Sequence, residues 1–121
     1  MIVRLLRVAV FLAACATILW LSLAPSADLP QVSLWDKFEH GFAYLVLSVL
    51  GAMAFPGHLW RMAGGLFAFG VGIEIGQALM GLGRQGDPAD ALANTLGIGL
   101  GLLVTLAIGE LIKVKSPARG E

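Results

Sequence analysis

The sequence predicts an all-α integral membrane bundle of four transmembrane helices, with both termini on the cytoplasmic side. Three observations lead there. Of 121 residues, 58% are hydrophobic and only 13% are charged, whereas soluble domains carry about 25% charge; the mean hydropathy is +0.85. A single domain of this size cannot hide that much apolar surface from water, so its main solvent is lipid. Apolar stretches of near-spanning length alternate with polar, Pro- and Gly-containing breaks, which predicts helices over about 5–24, 37–55, 62–82 and 88–112 and a disordered tail over 113–121. The basic residues divide unequally: Arg4, Arg7, Arg61, Lys113, Lys115 and Arg119 fall on one side of such a bundle, Lys37 and Arg84 on the other. The richer side is the cytoplasmic one.

The first helix follows Arg4 and Arg7 and runs from Val8 to Ala24 without a charge. A signal peptide would look similar, but Ser22-Leu23-Ala24 is followed by Pro25 and by more membrane-like chain. Leu12-Ala13-Ala14-Cys15 has the form of a lipobox, yet the apolar run continues past Cys15, as a spanning helix requires. Cys15 is therefore read as an inert buried thiol; a lone cysteine forms neither an intramolecular disulfide nor a cysteine metal motif. Residues 25–34 form a loop with two prolines, and Trp35 suits the headgroup boundary. Asp36 opens the second helix as a cap, with Glu39 three residues on. Pro56-Gly57 ends it, and His58 lies at the opposite boundary.

The third helix places Gly70, Glu74, Gln77 and Gly81 on one face, with Gly72-x-x-x-Gly76 as a close-packing element. Asp87-Pro88 reads as N-cap and first residue of the fourth helix, with Asp90 at the third position. Asp87, Asp90, Asn94, Gly97 and Gly101 form its polar and small-residue stripe, and Glu110 pairs with Lys113 at its far end.

Two polar clusters stand out against this apolar background. One is Asp36, Lys37, His40 and Tyr44; the other is Glu74, Gln77, Arg84, Asp87, Asp90 and Asn94. An ionisable group at bilayer depth costs roughly 2.5–3.5 kcal/mol on insertion scales, so such groups face one another or a wet cavity. Alternating spans would bring both clusters to the outer boundary. Glu74 has no capping role to explain it and needs a partner in Lys37, Arg84 or His40, or a proton.

At these residues the sequence resembles the VanZ-like family of small bacterial membrane proteins. The resemblance rests on Asp36-Lys37-x-x-His40-x-x-x-Tyr44, Glu74-x-x-Gln77 and Arg84-x-x-Asp87-x-x-Asp90-x-x-x-Asn94-x-x-Gly97, and covers roughly residues 30 to 105. It implies a multi-pass protein of the bacterial cytoplasmic membrane, associated with the envelope and, for the founding member, with resistance to the glycopeptide teicoplanin. It implies no established reaction.

The expected function is binding of an anionic lipid head group, or of a lipid-linked cell-wall precursor, by Lys37, Arg84 and the positive ends of the second and fourth helices. Asp36, His40, Tyr44, Glu74, Gln77, Asp87, Asp90 and Asn94 would orient that site or bind sugar hydroxyls. The bland alternative is that the two cations merely neutralise Asp36, Glu74 and Asp87, with Tyr44 and Asn94 as inter-helix hydrogen-bond donors. A second function is an enzyme acting on such a lipid, with Glu74 or His40 as acid–base group; a third is a small proton-coupled exporter working as a dimer. The uncharged first helix and the clustering near one face count against export. No Ser or Cys lies near a base, so triad chemistry has no support. No cofactor is expected, and one histidine in the cluster is too thin a signal to assign a metal. Zero net charge gives no support for nucleic-acid binding, and no nucleic-acid partner is expected, while the glycine stripes permit a helix-mediated homo-oligomer.

Overall fold

A computed structural model describes residues 1–24, 34–81 and 86–115. Four α-helices follow one another: α1 (Ile2–Leu23), α2 (Leu34–Ala54), α3 (Leu59–Met80) and α4 (Pro88–Lys115). Each helix is where the apolar runs place it, with shifted ends; α1 begins at Ile2, so it contains Arg4 and Arg7 and is not the uncharged helix expected. α2 begins at Leu34, so Asp36 is the third residue of its first turn rather than its cap. α3 begins at Leu59 and closes at Gly81, whose φ of 61° is the left-handed conformation that ends helices. α4 continues to Lys115, three residues into the expected tail; residues 116–121 lie outside the described residues.

α1, α3 and α4 are long and apolar enough to cross a membrane. α2 is as long but carries Asp36, Lys37 and Glu39 in its first two turns, which lowers its hydropathy. The side chains are consistent with lipid as the solvent for this molecule. Large apolar residues such as Trp20, Phe67, Leu79, Leu103 and Leu111 point outward, while the buried set includes Ser48, Glu74, Gln77, Asp90 and Asn94. That inversion of the water-soluble pattern is what a hydrocarbon surround favours.

α2 and α4 form the most extensive helix pair. Their main chains meet where a Cβ at Gly97 would overlap the Gly41 carbonyl oxygen, and where one at Gly101 would press on Ser48 and the Leu45 carbonyl. Ser48 Oγ donates to the Ile98 carbonyl at 3.1 Å, binding the two helices in the apolar interior. Gly97 and Gly101 of the α4 stripe are thus a close-packing element. Gly72-x-x-x-Gly76 is corrected: among the described residues Gly72 has nothing within 4 Å and Gly76 meets only the tip of Leu23 in α1 at 3.5 Å, so no helix backbone approaches that notch.

α1 leans on α2 and α3 through Phe11, which meets Phe55 edge-on at 5.5 Å. At the end bearing Met1 and the α2–α3 turn, Arg4, Phe11, Cys15, Phe55, Arg61 and Phe69 help to line an apolar groove of about 880 Å³. Cys15 is half-buried there. His58 is exposed in the turn beside Gly57, and Glu110 pairs with Lys113 at 2.8 Å. At the opposite end Gln77 Nε2 donates to the Ser22 carbonyl at 2.8 Å, tying α3 to the last turn of α1. The start of α2, the end of α3 and the start of α4 gather at that same end.

Candidate functional site at the polar end of the bundle

The site is built by the i, i+4 spacing of two facing helices. Asp36, His40 and Tyr44 descend one face of α2, and Asp90 and Asn94 descend the opposing face of α4. α3 adds Glu74 from below. Asp87 caps α4: its Oδ1 accepts the Ala89 N–H at 2.8 Å, and its carbonyl accepts the Asp90 N–H at 2.9 Å. Gly86 makes this approach possible, because a Cβ there would lie 2.6 Å from the Glu74 carbonyl oxygen.

Lys37 is bridged twice, to Asp87 Oδ2 at 2.7 Å and to Asp90 Oδ1 at 2.5 Å. The lysine beside it holds the Asp87 carboxyl below the ordinary carboxylate range, with the Ala89 N–H adding to the effect. Glu74 does not pair with Lys37. Its Oε2 instead accepts the Asp87 N–H at 3.0 Å, and it lies near enough to His40, Asp90 and Asp87 to interact electrostatically with all three. His40 Nε2 stands 3.9 Å from Asp36 Oδ1 and 3.9 Å from Asp90 Oδ2. These are ion-pair separations, too long for hydrogen bonds.

Among the described residues three oxygens are buried with no hydrogen-bond partner: Tyr44 Oη, Glu74 Oε1 and Asn94 Oδ1. Their residues are 2%, 8% and 3% exposed. Tyr44 packs its ring near Phe69 and over Gly70, so the phenol is held by shape rather than by a bond.

Of the ten residues singled out from the sequence, nine are described, and eight of them converge here. Gln77 is the exception, being spent on Ser22 as a strut between helices. Arg84 lies outside the described residues. Two expectations are corrected. Among the described residues Tyr44 Oη makes no hydrogen bond between helices and Asn94 Oδ1 accepts none, whereas Ser48, hidden in an apolar run, does bind α2 to α4. The α4 terminus does not offer free N–H groups at Asp87 and Ala89, because protein carboxylates already occupy them. The sequence also gave no sign that Asp90 would meet His40, since the spacing along one helix is silent about rotation of another.

Comparison with known families, curated proteins and solved structures returned no match. The chemistry must therefore be read from the site itself. Asp36, His40 and Asp90 present three ligand atoms within 4.8 Å of one another, drawn from two helices. With the lysine-bridged aspartates and the unpartnered oxygens, the arrangement can accept hydrogen bonds and hold positive charge.

Proposed function

We propose that this chain is a four-span, N-in and C-in protein of the bacterial cytoplasmic membrane, related to the VanZ-like family. On this reading its outward polar site binds the phosphate-bearing head group of a membrane lipid or lipid-linked envelope precursor. α2 supplies the fourth span: its 21 residues extend roughly 31 Å at about 1.5 Å per residue, the thickness of the hydrocarbon layer. The six-to-two division of basic residues supports the orientation. The ordered polar motifs support the family, and with it an influence on glycopeptide susceptibility.

The observation that carries the binding reading is the trio of unpartnered buried oxygens at Tyr44, Glu74 and Asn94. Polar groups that only glue helices together find partners in one another, and a buried oxygen left without one costs about 1–3 kcal/mol. Groups awaiting a ligand's hydroxyls or amides bear that cost in its absence. Tyr44→Phe tests this, since it removes the hydroxyl and little else. The variant should be as stable as wild type or slightly more so, yet retain several-fold less phosphate-bearing lipid after gentle extraction, read by native mass spectrometry. Unchanged lipid retention would count decisively against the site.

The same spectra address the enzymatic reading, in which Glu74 or His40 transfers a proton. Bound lipid released with altered mass after incubation favours turnover, and lipid returned intact favours binding alone.

A further inference from the structure

A head group that carries phosphate meets an awkward surface here. Lys37 is already held by Asp87 and Asp90, and Asp36 and Glu74 add further carboxyl groups around it. Set against one lysine, Asp87 and Asp90 alone leave an excess of negative charge among the described residues. Such a surface attracts a cation before it attracts an anion.

The geometry points to where that cation sits. We propose that Asp36, His40 and Asp90 bind a first-row divalent cation of the zinc class, and that this ion, rather than Lys37, receives the lipid phosphate. The second half of the proposal rests on the head-group reading above; the first does not.

Four observations carry it. His40 Nε2 lies equally far, 3.9 Å, from one oxygen of Asp36 and one of Asp90. Tetrahedral zinc with bonds of 2.0–2.1 Å needs ligand atoms about 3.3 Å apart, so each His40–carboxylate pair closes by roughly 0.6 Å, and the two carboxylates, within 4.8 Å of each other, by at most about 1.5 Å.

Asp90 divides its oxygens in the manner of a metal ligand with an outer partner. Oδ1 is fixed by Lys37 at 2.5 Å, while Oδ2 is the atom turned to His40. Lys37 thus orients the carboxylate and offsets part of its charge without entering the ligand set.

Next, one turn further along both helices, Tyr44, four residues after His40, and Asn94, four after Asp90, each end in a buried oxygen with no hydrogen-bond partner among the described residues.

Finally, exposure suits exchange with an aqueous phase. The Asp36 side chain is 43% exposed and His40 16%, so the ion is open on one side, where three protein ligands leave a coordination position for phosphate. One imidazole with two carboxylates favours zinc or manganese over magnesium, which prefers oxygen alone and keeps its waters.

The experiment uses full-length protein in mild detergent, stripped with chelator and titrated with Zn²⁺ by calorimetry, with metal content measured after dialysis. Wild type should bind one Zn²⁺ per chain, with His40→Ala and Asp90→Asn weaker by at least about tenfold. Circular dichroism and gel filtration establish that each variant is folded. Should His40→Ala fail to fold, His40→Cys serves, because a thiolate retains zinc while losing manganese. Wild type that takes up Zn²⁺ no better than a folded His40→Ala overturns the cation site.

A second arm weighs phospholipid retention with and without chelator. Retention that falls on stripping and returns with Zn²⁺ supports the bridge. If zinc binds but lipid retention ignores it, the bridge is overturned and the ion site stands. If lipid is retained and no zinc binds, the ion site is overturned and the head-group reading stands.

Discussion

At Asp87 three helices meet in a single residue. Its side chain caps α4 and bridges Lys37 of α2, while its N–H donates to Glu74 of α3. Substitution separates these roles. Asn keeps a good cap but loses the charge, and Ala loses both, so melting temperatures should fall in the order Asp, Asn, Ala in chelator-treated protein. The pH dependence has a definite sign. Because Lys37 lowers the Asp87 pKa in the folded state, its contribution is complete above the ordinary aspartate value of about 3.9. It is lost as pH falls through the lowered folded value. Acid melts of wild type and Asp87→Asn should therefore differ at neutral pH and converge in strong acid; a constant difference would mean that the charge is immaterial.

Helix stripes were legible in the sequence, and their partners were not. Period 3.6 put Gly70, Glu74, Gln77 and Gly81 on one face of α3 and Asp87, Asp90, Asn94, Gly97 and Gly101 on one face of α4; all are buried except Gly81, which is exposed at the end of α3, and Asp87, half-buried at the start of α4. It could not say which carboxylate Lys37 would choose, because that depends on how α2 is rotated against α4. The two small-residue motifs show the same limit: each permits a close approach, but only the one at Gly97 has a neighbour to receive it. The contrast is testable. Gly97→Ala forces the Cβ into the Gly41 carbonyl and should cost at least 1–3 kcal/mol, enough to separate α2 from α4. Gly72→Ala meets open space and should stabilise α3 by about 0.5–1 kcal/mol. Thermal unfolding in detergent reads both; a well-folded Gly97→Ala would mean that the main-chain contact is not required. The start of α2 was placed late for a related reason. Asp36 has a side chain suited to capping, but Leu34 and Trp35 already belong to the helix, and local chemistry did not reveal that.

For the molecule as a whole, composition pointed to a membrane setting, and the many large apolar side chains that face outward are consistent with it. The proposed orientation makes a sharp statement about sidedness. In a Cys15→Ser background, Glu39→Cys should react with an impermeant maleimide in intact cells. Arg61→Cys should react only after permeabilisation. The reverse pattern would turn the polar site toward the cytoplasm and remove it from the envelope.

The meeting of Gly41 with Gly97 has a consequence for how such a protein can change over time. Where backbone rests on backbone, the spacing of α2 and α4 is set by the main chain and not by any side chain. The polar residues one or two turns away can then be exchanged for others while the frame that carries them stays constant.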